Sequence, residues 1–98
     1  ITLEFDTPEG LALMRSLVAH VDVVIENYSP RVMPKYGLDF AGLRAINPRI
    51  ILCSMPGYGA QGPLSGFISY GTNVDPASGL ASLMGYRGEL PYIGGNAY

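Results

Sequence analysis

Val23-Val24-Ile25-Glu26-Asn27-Tyr28-Ser29 and Ile50-Ile51-Leu52-Cys53-Ser54-Met55-Pro56-Gly57-Tyr58-Gly59 share one layout: a short aliphatic run that breaks into polar residues and glycine. Uninterrupted runs of this kind suit strands buried on both faces of a parallel sheet. Between them the pattern turns helical. Asp39 is placed to cap a helix whose inner face carries Phe40, Leu43 and Ile46, and Asn47-Pro48 stops it. Upstream, Thr7 can cap a longer helix, because Pro8 fits the first turn, where its missing N–H is no loss, and Glu9 meets the positive end of the dipole. Leu11, Met14, Leu17 and Val18 share one face of that helix. His20-Val21-Asp22 ends it, with His20 near its last carbonyls.

The opening Ile1-Thr2-Leu3-Glu4-Phe5 alternates apolar and polar residues, which predicts a strand with one solvated face. Strand, helix, strand, helix, strand in this order predicts an α/β chain: a parallel, Rossmann-like sheet with crossover helices. Pro56 to Ser69 reads as a long Gly- and Pro-rich loop, and such loops in compact domains tend to carry function. Asp75-Pro76 predicts a third helix bearing Leu80, Leu83 and Met84, with Gly85 as a left-handed stop. Gly94-Gly95-Asn96-Ala97-Tyr98 is turn-like.

The chain has 98 residues, 48% of them hydrophobic, and does not begin with methionine. That apolar share is high for a chain of this size, so residues 1–98 read as part of a larger domain whose other segments cover the surplus. A net charge of −2, with six scattered basic residues, excludes a nucleic-acid footprint. No apolar run approaches the ~18 residues needed to span a bilayer, so no membrane role is expected. One cysteine, Cys53, cannot form an internal disulfide and is expected to be buried and inert, which fits a reducing, cytoplasmic setting. A single histidine and a single cysteine give no metal-ligand cluster.

In open parallel sheets ligands bind outside the carboxyl ends of the strands. Both buried runs deliver their polar and glycine residues there, as Glu26-Asn27-Tyr28-Ser29 and Ser54-Met55-Pro56-Gly57-Tyr58-Gly59. An aromatic face can stack on a base and an Asn amide can satisfy its polar edge. Glycines let backbone approach a ligand closely and present N–H groups to it. Arg31 and Lys35, four residues apart, share a face if the segment between them is helical.

Four blocks carry a family resemblance: Glu26-Asn27-Tyr28-Ser29-Pro30, Tyr36-Gly37-Leu38, Ala45-Ile46-Asn47-Pro48-Arg49, and Met55-Pro56-Gly57-Tyr58-Gly59 up to Gly62-Pro63. Their order and spacing resemble the family III CoA-transferases, which include formyl-CoA transferase and the sister branch of α-methylacyl-CoA racemase. The resemblance runs from Pro8 to the loop around Gly85. It implies that Asn27, Tyr28 and Ser29 hold the nucleotide end of coenzyme A, bound as an acyl-CoA substrate. It implies that Lys35, where that group carries an Arg, meets CoA phosphates with Arg31 beside it. It implies that Pro56, Gly57, Tyr58 and Gly59 lie along the pantetheine arm. The reaction implied is transfer of CoA from an acyl-CoA to a carboxylic acid through a carboxylate-bound intermediate, in an interlaced homodimer.

Two positions depart from the family pattern. Asp6 stands where many relatives carry a Lys, and Gly88 stands where the catalytic Asp is expected, with Glu89 next to it. Glu89 is therefore the catalytic candidate in this chain, the alternatives being a nucleophile beyond Tyr98 or a non-catalytic acyl-CoA-binding relative. The racemase His–Asp pair would fall on Tyr70-Gly71; a phenol with a pKa near ~10 is a poor base and glycine has no side chain.

Overall fold

The computed structural model describes residues 1–92. Helix α1 runs Pro8–Val18, strand β1 Val23–Glu26, the single turn α2 Val32–Lys35, helix α3 Phe40–Ile46, strand β2 Ile51–Ser54 and helix α4 Gly71–Ala77, followed by a 3-10 turn at Leu80–Leu83. The two strands pair in parallel, with Val23 opposite Ile51 and Glu26 opposite Ser54. The α2 and α3 helices form the crossover between them, so the α/β class and the parallel sheet expected from the sequence are present.

The helix ends follow the sequence signals. Thr7 Oγ1 accepts the Gly10 N–H at 3.1 Å and Asp39 Oδ1 accepts the Gly42 N–H at 2.9 Å, each satisfying an otherwise orphan donor. His20 Nδ1 lies 2.8 Å from the Ser16 carbonyl oxygen, the capping role expected of it. The Tyr36-Gly37-Leu38 block is a Schellman cap on α2: the Leu38 N–H donates to the Met33 carbonyl at 2.9 Å and the Gly37 N–H to Pro34 at 3.0 Å. Gly37 sits at φ +64°, where a side chain would be strained, and the cap drives Leu38 into the core. Asn47 closes α3, and its amide donates to the carbonyls of Val18 at 3.1 Å and Val21 at 2.8 Å, tying α3 to the α1–β1 junction.

The core beneath the sheet gathers Val18, Val24, Met33, Leu38, Leu43 and Ile50, with Phe5, Leu11, Met14, Tyr36, Ile46 and Leu52 packed around it. It covers one face of the sheet. Side chains alternate along a strand, so Val23 and Ile25 on β1 and Ile51 and Cys53 on β2 point to the other side. Ile25 is 65% exposed and Ile51 60%. The expectation that both runs are buried on two faces is thus corrected, and Cys53 is an exposed free thiol rather than a buried one.

Three further expectations are corrected. Ile1–Phe5 forms no strand, because the Glu4 carbonyl is taken by the Thr7 N–H at 3.3 Å and the Thr7 hydroxyl at 2.9 Å, turning the chain into α1. Leu17 and Phe40 lie off the buried faces of their helices. Asp75-Pro76 ends α4 rather than opening it: Pro76 has no N–H for the Thr72 carbonyl, and the chain reverses at Gly79. Leu80 and Leu83 then sit on an exposed 3-10 turn; Gly79 at φ +84° is the left-handed residue between it and α4, and Gly85 follows the turn at φ +138°. The turn-like 94–98 segment lies outside the described residues.

Candidate functional site

The parallel pair ends at one edge, where the Met55 N–H still donates to the Glu26 carbonyl at 2.9 Å before the two loops diverge. A cleft of about 100 Å³ opens there. Asn27, Tyr28 and Ser29 form one wall and Pro56, Gly57 and Tyr58 the other, so six residues singled out from the sequence meet in space. Phe67 and Ser69, from the far end of the long loop, complete the lining. Tyr58 and Phe67 meet edge to face, ring centroids 6.4 Å apart.

Gly57 is the point of closest approach. A β-carbon there would collide with Ser69 Cβ and Oγ, so only glycine lets the long loop fold back and close the cleft. Whole small-molecule sites occupy roughly 300–1,000 Å³. The cleft therefore takes one moiety of a larger ligand.

Behind the first wall lies a residue to which the sequence reading gave no role. Glu26 is only 8% exposed. Its Oε2 accepts the Tyr28 N–H at 2.7 Å, and its Oε1 accepts the Ser54 hydroxyl. Strand alternation carried the missing signal: Glu26 is two residues from Val24, hence on the core side of the sheet, where a carboxylate needs partners.

Arg31 and Lys35 stand one turn apart, with the Lys35 N–H donating to the Arg31 carbonyl at 3.3 Å, and neither lines the cleft. The Lys35 ammonium donates to Asp6 Oδ1 at 3.1 Å and to the Tyr36 hydroxyl oxygen at 2.9 Å, and that hydroxyl donates to Asp6 Oδ1 at 2.8 Å. The Tyr36 hydrogen bond, then the Lys35 hydrogen bond and charge, hold the Asp6 carboxyl below its usual range. The same Tyr36 contact and the Asp6 contact raise the Lys35 ammonium.

Gly59 also stands outside the cleft lining; its N–H closes a turn on the Pro56 carbonyl at 2.9 Å with φ +81°. Glu89 lines a separate hollow of about 520 Å³, folded by Ser82 to Pro91, that shares no residue with the cleft. Its Oε2 accepts the Tyr92 hydroxyl at 3.2 Å. Tyr70, at the racemase position, is the N-cap residue of α4. Among the described residues no group of three His, Cys, Asp or Glu could hold a metal ion, and no helix is long and apolar enough to cross a membrane.

The family model described as CoA-transferase family III matches residues 1–98. The chain is 43% identical over 97 residues to a succinate–glutarate CoA-transferase of Agrobacterium fabrum, covering 99% of this chain and 24% of that one. It is 35% identical over 91 residues to a succinyl-CoA–D-citramalate CoA-transferase of Chloroflexus aurantiacus, covering 93% of this chain and 23% of that one. The solved structure of a CAIB/BAIF family protein from Brucella suis superposes with a TM-score of 0.88 at 42% identity, over 98% of this chain and 25% of that one. The chain spans about a quarter of the length of these relatives.

Proposed function

The chain belongs to CoA-transferase family III, and from that premise we propose that the whole protein moves CoA from an acyl-CoA donor to a carboxylic acid acceptor. Residues 1–98 are part of its Rossmann-like CoA-binding domain. The observation that carries this reading is the closure of the Asn27–Ser29 and Pro56–Tyr58 loops into one cleft at the carboxyl edge of the parallel pair. In this reading Tyr28 stacks on the base while the Asn27 amide and Ser29 hydroxyl meet polar edges of the nucleotide. Arg31 and Lys35 approach the phosphates, and the Pro56-Gly57-Tyr58-Gly59 turn lies along the pantetheine arm. The names of the two curated relatives favour short dicarboxylic acids as acyl group and acceptor.

The chemistry is covalent exchange. An enzyme carboxylate, Glu89 being the candidate in this chain, attacks the thioester carbonyl and expels CoA thiolate, leaving a mixed anhydride. The thiolate attacks the enzyme-side carbonyl of the anhydride, releasing the donor acid and forming an enzyme–CoA thioester. The acceptor carboxylate attacks that thioester, again expelling the thiolate, which takes the acceptor acyl group and restores the enzyme carboxylate. In this reading backbone N–H groups of loops at the reacting end stabilise the oxyanions that develop. An interlaced homodimer fits the bare sheet face at Val23, Ile25 and Ile51, and a free exposed thiol at Cys53 fits the reducing cytoplasm.

The test is chromatographic: full-length protein is incubated with succinyl-CoA and a panel of carboxylic acids, and new CoA esters are resolved. Exchange to at least one acid is expected. Tight CoA binding with no exchange would establish the second reading, a non-catalytic acyl-CoA-binding protein, which the presence of Gly88 at the nucleophile position favours.

A further inference from the structure

We propose that Glu26 is a positioning residue whose buried carboxylate sets the separation of the two cleft walls, and through it the affinity for CoA. The inference rests on the CoA-binding reading above and deepens it. Glu26 and Ser54 are register partners at the last rung of the sheet, the point from which both loops depart. One carboxylate oxygen accepts the backbone N–H of Tyr28, in the first wall. The other accepts the hydroxyl of Ser54, two residues before Pro56 in the second wall. One oxygen thus serves the loop after β1 and the other the end of β2, from which the second loop departs.

Stability alone gives no reason for this arrangement. Glu26 shares its strand face with Val24, and the hollow beside it is lined by Met33, Phe40 and Leu52 as well as Ser54. Burying a carboxylate there carries a desolvation penalty that an apolar side chain of similar volume avoids, and such replacements of buried charges are often neutral or stabilising. What an apolar side chain cannot do is accept both from the loop that leaves β1 and from the last residue of β2. The Tyr28 N–H, left unbridged, would turn toward solvent and take with it the ring proposed to stack on the base.

The experiment compares Glu26→Gln, Glu26→Leu, Ser54→Ala and the Glu26→Leu/Ser54→Ala double variant of the full-length protein, reading CoA affinity by calorimetry and melting temperature in parallel. Gln retains a bridge, accepting from Tyr28 with its oxygen and donating to Ser54 with its amide, so its CoA affinity stays within about threefold of the parent. Leu keeps the volume and loses the bridge, so the dissociation constant rises about tenfold or more while the protein remains folded. Ser54→Ala alone weakens binding by a smaller factor and adds nothing on the Glu26→Leu background, because the bridge is already gone. Equal affinity of the Leu variant and the parent would overturn the proposal, as would failure of Gln to rescue or full additivity in the double variant. Should Glu26→Leu fail to fold, the Gln and Ser54→Ala variants decide alone. A parent protein that binds no CoA would instead overturn the functional reading itself, and is told apart by the wild-type titration.

Discussion

The Lys35 ammonium lies 3.1 Å from Asp6 Oδ1 across 29 residues of sequence, joined through the Tyr36 hydroxyl into a closed three-membered ring of hydrogen bonds. In the proposed reading Lys35 meets the CoA phosphates, and Asp6 is the anion that engages it in their absence. Both partners are well exposed, and an exposed pair of this kind contributes little to stability and yields to a better ligand. A phosphate is such a ligand.

Lys35→Ala is therefore expected to weaken CoA binding roughly tenfold, the loss of one charge-assisted contact. Asp6→Asn is expected to strengthen it, by releasing Lys35 and removing a negative charge from the approach of the phosphates. Isothermal titration of full-length variants with CoA measures both. Unchanged affinity in Lys35→Ala would remove that side chain from the site.

The ring also sets a pH window. Asp6 is held below its reference value of 3.8, chiefly by Tyr36 and then by Lys35, so its contribution to stability is complete above 3.8 and is lost as pH falls through the lower folded value. Lys35 is held above its reference value of 10.5, so its contribution is complete below 10.5 and is lost as pH rises through the higher folded value. Between those limits neither Asp6 nor Lys35 changes its charge. Carbon-13 NMR of labelled aspartate should find Asp6 titrating below 3.8, and Tyr36→Phe and Lys35→Ala should each move it back up. An Asp6 titration insensitive to Tyr36→Phe would contradict the ring.

Much of this was legible in the sequence because it depends on local chemistry. The caps at Thr7 and Asp39, the stop at Asn47-Pro48, His20 over the end of α1 and the parallel pair all follow from residue type and spacing within a few positions. The cleft walls were legible because parallel strands deliver their loops to one edge. What was not legible depends on distant partners. Alternation in Ile1–Phe5 cannot show that none of the described residues pairs with it as a strand, and the aliphatic run Val23–Ile25 cannot show which of its faces is covered. The Asp6–Lys35 and Glu26–Ser54 contacts join residues 29 and 28 positions apart, beyond any local pattern.

Gly57 makes a sharp test of the cleft because the atoms a β-carbon there would overlap belong to Ser69, with Val74 Cγ2 next at 3.3 Å. In Gly57→Ala the new methyl meets Ser69, and the long loop must move away from the Asn27–Ser29 wall to make room. The expected outcome is a fall in CoA affinity of about tenfold or more, in line with overpacking of the contact that folds the long loop back on itself. Ser69→Gly removes the colliding atoms, so the Gly57→Ala/Ser69→Gly pair should recover most of the affinity. No recovery in the pair would mean that Gly57 is needed for the ligand itself and not for the approach of the loop.

Glu89 decides whether residues 1–98 contain the reacting group. It lies one position past the Gly88 that occupies the expected place of the nucleophile, and it lines a hollow apart from the cleft. That separation does not count against it, since the base and the thiol of CoA are opposite ends of a long molecule and need different pockets. The Tyr92 hydroxyl, 3.2 Å from Glu89 Oε2, restrains the carboxylate while leaving its other oxygen available. Attack requires the reacting atoms to come within about 3–3.5 Å, and glutamate's extra methylene extends the reach from a backbone set one residue further on. Incubation of full-length protein with acyl-CoA, followed by hydroxylamine, is expected to leave a hydroxamate on Glu89, located by peptide mass spectrometry, and Glu89→Gln is expected to abolish exchange while CoA still binds. Full turnover in Glu89→Gln would place the nucleophile outside residues 1–98, and this chain would then supply the surface that holds CoA but not the group that reacts with it.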